Sequence, residues 1–225
     1  MRKPKKDAPK HSHRHTVYKN KEGKRIVSST GALNILAKPA LIYWAWDLGM
    51  SGVDYRKYTD DKGQIGTLTH DMILSHHKKC PYDTSDYTQK QINTAETCFL
   101  KYLEWEGRLE SIEPIILERS LVSEKYQYGG TFDFYGLVEG VYTLMDYKTS
   151  KAIYPDNFLQ LASYRNLLIE NGHSVERAMI VRVGRDETEG FETKEMYDLD
   201  LEFQTFIRIV ELHYMLKETN KKFKG

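Results

Sequence analysis

Two aspartates and a lysine near the middle of this sequence have the types and the spacing needed for metal-assisted phosphate chemistry. Asp133 lies on one run of strand-like residues, and Asp146 and Lys148 lie on the next. Residues 138–141 join the runs and have the composition of a tight turn, because Gly140 tolerates the positive φ that such turns need. If Gly140 and the residue before it are the two central residues, Asp133 lies directly opposite Asp146.

An opposed pair of carboxylates favours a bound cation. Their Cβ atoms would be about 5 Å apart, so the two charges repel each other unless positive charge lies between them. Oxygen ligands of this kind select Mg²⁺ or Mn²⁺. Lys148 projects from the same face as Asp146 and can hold an attacking water or stabilise a pentacovalent phosphate. We therefore expect phosphodiester hydrolysis here; the alternative is a hairpin whose charged face meets only solvent.

Glu118 is a further candidate for this site. If residues 113–123 and 128–138 form a symmetric hairpin, Glu118 opposes Asp133. The connecting residues Lys125 and Tyr126 are poor turn formers, so the register stays open. The alternative for Glu118 is a simple charge on an edge strand.

Three short motifs around these residues resemble those of the RecB-like nucleases in the PD-(D/E)xK superfamily. They are similar to the G-x-x-D, (D/E)-x-K and Q-x-x-x-Y signatures and occur in that order. The resemblance covers roughly residues 28–200 and extends to the mitochondrial genome maintenance exonucleases and their phage relatives. The proline that gives the superfamily its name is absent before Asp133. The matching stretches are Gly130-Thr131-Phe132-Asp133, Asp146-Tyr147-Lys148 and Gln160-Leu161-Ala162-Ser163-Tyr164.

The resemblance implies a fold and a set of site residues. The fold is α/β, a restriction-endonuclease-like core with a mixed central β-sheet flanked by α-helices. Mg²⁺ or Mn²⁺ would be bound by Asp133, Asp146, the main-chain carbonyl of Tyr147 and His70, which follows Gly66 on a helix. Lys148 would assist the attacking water, and Glu118 would be a further catalytic acid.

The helix with the third motif and an aromatic segment are expected to contact nucleic acid. The resemblance implies that Gln160 and Tyr164, which share one helical face, orient the site and contact the DNA backbone. The alternative places both at the margin of an amphipathic helix. Tyr43, Trp44 and Trp46 could stack on the bases of a single strand, although helical aromatics are commonly part of a core.

The elements that position these residues follow from the hydrophobic periodicity. Ser28 to Thr30 are plausible N-caps of a helix that continues through Leu33 to Trp44, and residues 49–64 have the composition of a loop. This order of elements predicts a mixed sheet covered by helices. The expected helices are 66–79, 88–107, 155–169 and 201–217, and the expected strands are 113–123, 128–138, 141–149, 176–183 and 191–198.

Charge divides the chain into three parts although the net charge is only +1. Residues 1–25 carry ten Lys or Arg against two acids, and residues 217–225 carry four Lys against one acid. Residues 26–216 have a net charge of −10. We expect a disordered basic tail over 1–25, a single nuclease domain over 26–216 and a basic tail over 217–225. Basic tails favour a polyanionic partner; the alternative is that they only aid solubility.

Composition excludes several classes of protein. No apolar stretch is long enough to cross a bilayer, and the basic N-terminus has no apolar run after it, so we expect neither membrane insertion nor secretion. Two cysteines are too few for the iron–sulfur cluster of some related branches, and no phosphate-binding loop for ATP is present. A cytoplasmic location in a bacterial or phage-infected cell is expected.

The combined expectation is a metal-dependent DNA exonuclease that prefers single-stranded DNA or free ends. Replication or recombination proteins are possible partners, and the oligomeric state stays open. Two alternatives remain: a structure-specific or sequence-specific endonuclease with the same fold, and an accessory protein that binds nucleic acid without cleaving it.

Overall fold

A computed structural model of the chain describes residues 16–223. Four consecutive helices follow a short first strand, and a three-stranded run, a helix, two strands and a final helix complete the chain. The helices are α1 (Ser29–Leu33), α2 (Pro39–Met50), α3 (Tyr55–Lys78), α4 (Gln89–Glu106), α5 (Pro155–Glu170) and α6 (Asp200–Lys222). The strands are β1 (Val27–Ser28), β2 (Ile112–Ser123), β3 (Tyr128–Val138), β4 (Val141–Lys148), β5 (Arg177–Val183) and β6 (Phe191–Met196).

These strands form one mixed sheet. Its order is β1–β3–β4–β5–β6, and β2 pairs with β3 as well. The pairs β1–β3 and β4–β5 are parallel, whereas β2–β3, β3–β4 and β5–β6 are antiparallel. Helix α5 makes the crossover between the parallel strands β4 and β5. The predicted α/β fold with a mixed central sheet is therefore confirmed.

Helices cover both faces of the sheet. On one face, α1, α5 and α6 pack around a buried cluster that includes Phe132, Leu161 and Phe206. On the other face, α3 and α4 pack around a cluster that includes Phe134, Tyr102 and Met145. The site residues predicted on β3, β4, α3 and α5 are thus held between two packed layers. Among residues 16–223, no helix has the length and apolarity that a membrane-spanning segment needs.

The β3–β4 hairpin has the register predicted from its turn. Glu139 and Gly140 have φ values of 53° and 76°, which are the two positive values of a type I′ turn. The strands pair from Val138↔Val141 to Phe134↔Met145. Asp133 and Asp146 are the next residues along this register.

Strands β2 and β3 change faces at Glu118 and Asp133. The ladder pairs Leu117 with Phe134 and Arg119 with Phe132, and it omits the two acids between them. Phe132 packs in the α5 layer but Phe134 packs in the α3–α4 layer, although residues two apart in a regular strand share one face. Glu118 has a φ of 48°, in the left-handed region, at the same point. The predicted opposition of Glu118 and Asp133 is thus present, but at a kink rather than in a regular ladder.

The sequence interpretation was wrong between residues 33 and 64. A single helix through Leu33 and Trp44 was expected, but α1 ends at Leu33 and α2 begins at Pro39, because proline lacks the N–H that would continue a helix. The expected loop over 49–64 is helical from Tyr55 onward. There, the Asp54 side chain accepts hydrogen bonds from the first N–H groups of α3 and so starts the helix.

Residues 16–25 and 217–222, which the sequence assigns to basic tails, are part of the folded structure. Residues 16–26 form a turn in which the Ile26 N–H donates to the Tyr18 carbonyl and Lys19 bridges to Arg25. Tyr18 is buried, and the amide of Asn20 donates to the Gln127 side chain. Residues 217–222 continue α6. The remaining parts of the predicted tails, 1–15 and 224–225, lie outside the described residues.

Candidate active site

One cleft of about 290 Å³ brings together six of the residues predicted from the sequence. It lies between α3, the edge of β3 and β4, and α5. Strand β2 occupies one edge of β3, so β1 and β4 share the other edge. On that edge, β1 pairs with residues 128–129 of β3 and β4 pairs with residues 134–138. Within the described part of the chain, residues 130–133 of β3 therefore have no partner strand on that edge. The cleft opens at this gap. The six residues are His70, Asp133, Asp146, Lys148, Gln160 and Tyr164.

Lys148 links the end of β4 to helix α5. Its ammonium forms an ion pair with Asp146, whose side chain is only 3% exposed. Lys148 Nζ also donates a hydrogen bond of 3.1 Å to Gln160 Oε1, and Gln160 Nε2 donates one of 2.7 Å to the Tyr164 hydroxyl. Because the Tyr164 oxygen accepts that bond, its own proton remains a donor for a ligand in the cleft.

Asp133 is held by α3 and by β4. Its Oδ1 lies 3.2 Å from His70 Nδ1, and its Oδ2 accepts a hydrogen bond of 2.8 Å from the main-chain N–H of Tyr147. In a strand the N–H and C=O of one residue point to the same neighbouring strand, so the Tyr147 carbonyl faces the side where Asp133 lies. The Tyr147 side chain projects from the face of the sheet opposite to that of the Asp146 and Lys148 side chains, and it packs against Tyr102.

The two carboxylates differ in electrostatic environment. Burial raises the pKa of both, but for Asp133 the His70 imidazole, Lys148 and the Tyr147 N–H outweigh it and lower the pKa to about 2. For Asp146, burial prevails over the ion pair with Lys148, and the nearby Asp133 charge adds to it, so the pKa is raised. Burial lowers the pKa of His70, but the Asp133 charge outweighs burial, so the pKa of His70 is raised.

Glu118 is close to this cleft but does not line it. It lines a separate cavity of about 10 Å³ together with His70, His77, Asp133 and hydrophobic neighbours. That volume accommodates at most about one water molecule. The structure therefore places Glu118 behind the His70–Asp133 pair rather than beside Lys148.

The three aromatic residues of α2 are divided between packing and exposure. Trp44 packs edge-on against Tyr55 and Tyr58 at the start of α3, with ring centroids 5.3 and 5.8 Å apart. Tyr43 and Trp46 are 72% and 64% exposed. Only these two therefore have rings free to stack on a ligand.

The donor types in the cleft fit a hard divalent cation. Two carboxylates and an imidazole are ligands that Mg²⁺ or Mn²⁺ accepts. The buried carboxylate of Asp146 and the partly buried carboxylate of Asp133 face a single lysine ammonium. In the arrangement observed, the carboxylates contact His70 and Lys148 instead. Within residues 16–223, no three His, Cys, Asp or Glu side chains are already grouped so that they could hold a metal ion. Metal binding therefore requires Asp133 and Asp146 to exchange these partners for the cation.

Sequence reasoning missed the hydroxyl groups of the cleft. Tyr18, Thr30, Thr67 and Thr131 all line it. Tyr18 was assigned to the disordered tail, although Asn20 and Gly23 between two apolar pairs are a recognisable turn signal. No motif or spacing indicated the threonines, whose position depends on the packing of distant elements.

Comparisons with known proteins give structural matches only. No known protein family matches this chain, and neither does any curated protein. Among solved structures, the chain is similar to SSO0001, with 16% identity over 69% of this chain and 74% of that one and a TM-score of 0.37. It is similar to a protein described as a candidate exonuclease from Eubacterium rectale, with 15% identity, coverage of 66% and 64%, and a TM-score of 0.45. It is also similar to the alkaline exonuclease LHK-Exo from Laribacter hongkongensis, with 12% identity, coverage of 88% and 94%, and a TM-score of 0.38.

Proposed function

We propose that this protein is a nuclease that hydrolyses phosphodiester bonds of DNA with Mg²⁺ or Mn²⁺. The observation that carries the proposal is the group formed in one cleft by the buried Asp146 and the partly buried Asp133 and Lys148. Withdrawing two carboxylates from most of their contact with water is costly, and a protein that only binds nucleic acid gains nothing from negative charges that repel its ligand. Their presence at the base of an open cleft is consistent with catalysis.

The side chains have distinct roles in this proposal. Asp133, Asp146, His70 and the Tyr147 carbonyl would hold the cation, which activates water and offsets negative charge on the phosphate. Lys148 orients the attacking water or donates to a phosphate oxygen, and Gln160 fixes the position of the Lys148 ammonium through the bond of 3.1 Å. The Tyr164 hydroxyl donates a hydrogen bond to the DNA backbone.

Single-stranded DNA with a free end is the proposed substrate. Helix α2 supports this, because it is anchored on both sides of the cleft. At its start, Lys38 Nζ lies 2.6 Å from Asp156 in the first turn of α5, and further along Trp44 packs on the start of α3. Tyr43 lies between these anchors and Trp46 lies two residues beyond the second. Their exposed rings can stack on unpaired bases but not on bases inside a duplex.

End-labelled linear and circular single strands, each incubated with Mg²⁺, Mn²⁺ or chelator, test the proposal. Loss of the linear strand alone, abolished by chelator and by Asp133→Asn, is the expected result. Cleavage of the circle indicates an endonuclease. Binding with no cleavage of single or double strands in either metal would overturn the proposed activity and leave the accessory-protein alternative.

A further inference from the structure

The turn formed by residues 16–26 attaches to the folded core near the start of β3. Asn20 Nδ2 donates to Gln127 Oε1 at 2.8 Å, and the Lys21 N–H donates to Glu124 Oε1 at the same distance. On the other side, the Tyr214 hydroxyl of α6 accepts from the Val27 N–H. The turn is thus held at several points, and its geometry fixes where Tyr18 lies.

Tyr18 lies directly over β3. A Cβ atom placed on Gly129 would be 2.3 Å from the Tyr18 ring, so only glycine permits this contact. Tyr18 is 8% exposed, yet it lines the cleft together with Asp133 and Tyr164. A largely buried ring with an edge in the cleft wall presents its hydroxyl group in a fixed position.

The Tyr18 hydroxyl ends a chain of three hydroxyl groups. It lies 2.8 Å from Thr131 Oγ1, which lies 2.7 Å from Ser120 Oγ. Three hydroxyls carry three protons, but two internal hydrogen bonds use only two of them. The third proton stays free on the hydroxyl that does not donate within the chain. An anion in the cleft would favour the arrangement in which Ser120 donates to Thr131, Thr131 donates to Tyr18, and the Tyr18 hydroxyl donates a hydrogen bond to the anion.

We propose that Tyr18 is a substrate-binding residue that donates a hydrogen bond to a phosphate oxygen of the nucleotide next to the scissile bond. This inference rests on the proposed function. Thr131, which holds the Tyr18 hydroxyl, lies two residues before Asp133, or about 7 Å along the strand. That separation places the hydroxyl beside the neighbouring phosphate rather than the reacting one. Neutral tyrosine and threonine hydroxyls are common donors to phosphates.

The state of ionisation suits this role. Burial raises the pKa of Tyr18, and the hydrogen bonds with Thr131 and Ser120 offset this only in part. The phenol therefore keeps its proton at neutral pH and remains a donor.

Binding of an end-labelled single-stranded oligonucleotide to the full chain, measured by anisotropy in chelator, tests the inference. Tyr18→Phe keeps the ring and removes the donor, and it should raise Kd about tenfold, the loss typical of a hydrogen bond to a charged group. The matched control is Tyr135→Phe, because the Tyr135 hydroxyl donates to the Ser174 carbonyl away from the cleft; its Kd should stay that of the wild type. In turnover, Tyr18→Phe should raise KM and leave kcat nearly unchanged.

A scan with single neutral methylphosphonate linkages locates the contact. When the linkage that Tyr18 contacts is replaced, the wild-type protein should bind about tenfold more weakly than it binds the unmodified oligonucleotide. The Tyr18→Phe variant should bind the modified and unmodified oligonucleotides equally well. If Tyr18→Phe fails to fold, Thr131→Val provides a second test. It breaks the hydroxyl chain without changing the Tyr18 ring, and it should also weaken binding. Equal losses in both proteins at every linkage, or an unchanged Kd for both variants, would overturn the role of Tyr18. If the wild type neither binds nor cleaves DNA, the proposed function itself fails.

Discussion

The carboxylate of Asp133 accepts a hydrogen bond of 2.8 Å from the main-chain N–H of Tyr147. Tyr147 lies between Asp146 and Lys148 on β4, so this bond ties the acid of one strand to the strand that carries the other two groups. It forms where the regular β3–β4 ladder has ended. Asp133 therefore has a structural role, as a replacement for a ladder bond, in addition to its proposed chemical role.

Two substitutions separate these roles of Asp133. Asp133→Asn keeps an oxygen that can accept from Tyr147, whereas Asp133→Ala leaves that N–H without a partner. We expect Asp133→Ala to lower the free energy of unfolding by about 1.5–3 kcal/mol and Asp133→Asn by clearly less, while both lose at least about a hundredfold in activity. Urea denaturation and a nuclease assay measure the two effects. Equal stability of the two variants would contradict the structural role.

Loss of Lys148 should lower the stability of the fold as well as abolish the activity. Lys148→Met leaves the Asp146 charge buried without its cation, which costs about 3–5 kcal/mol for a broken buried pair. Asp146→Asn in the same chain removes that charge and should restore part of the stability but no activity. Urea denaturation in chelator measures both. Lys194→Met is the matched control, because Lys194 is 56% exposed in its contact with Glu192 and should change stability by less than about 1 kcal/mol.

The backbone at Glu118 predicts a difference between two substitutions that both remove its carboxylate. Glu118 has a φ of 48°, a conformation that costs a residue with a Cβ about 1–2 kcal/mol and glycine little. Glu118→Gly should therefore be more stable than Glu118→Ala by about 1 kcal/mol, as measured by thermal unfolding. If the carboxylate contributes to catalysis, both variants lose activity equally. A less stable glycine variant would argue against strain at this kink.

Local sequence signals sufficed for the hairpin that carries the acids. Gly140 and its neighbours specify the turn, the turn fixes the register, and the register brings Asp133 to Asp146. The kink at Glu118 was not predictable, because alternation along a strand assumes a regular ladder. The left-handed φ of Glu118 occurs where neighbouring residues of the strand pair pack into the layers on both faces of the sheet. No residue type at this position indicates such a conformation.

Elements that depend on long-range contacts were the ones misjudged. The start of α3 contains many polar residues, and its helical state is supported by the packing of Trp44 on Tyr55 and Tyr58. The turn around Tyr18 is short and polar, and it is ordered by contacts with residues more than a hundred positions away. Periodicity within a short window carries no information on such partners.

The exposed rings of α2 predict a preference for unpaired DNA. Tyr43→Ala and Trp46→Ala should each weaken binding of single-stranded DNA by about 1–3 kcal/mol, the range for one stacked base, and should leave duplex binding unchanged. Ile42→Ala is the matched control, because Ile42 is equally exposed on the same helix but has no ring. Anisotropy titrations with both forms of DNA measure the difference. Equal losses on duplex and single strands would rule out stacking on unpaired bases.

His77 gives the fold a pH dependence that does not involve the cleft ligands directly. Its side chain is 5% exposed, and its Nε2 lies 2.7 Å from the Tyr102 hydroxyl and 3.8 Å from Glu106. Burial lowers the pKa of His77, with Glu106 opposing and His76 adding to the shift. Below pH about 6.5, His77 becomes protonated in the unfolded chain but stays neutral in the folded chain, because its pKa there is lowered. The free energy of unfolding therefore falls as the pH falls.

Replacing His77 should remove that dependence. The free energy of unfolding of the wild type should decline between about pH 6.5 and the lowered pKa of His77 by at most about 1.4 kcal/mol per pH unit from this residue. His77→Gln should flatten the slope even if the variant is less stable overall, because the glutamine does not titrate. His173→Gln, which removes a histidine that packs on Tyr135, is the control for the loss of an imidazole elsewhere in the fold. Urea denaturation at a series of pH values measures these slopes, and an unchanged slope in His77→Gln would show that the acid sensitivity arises elsewhere.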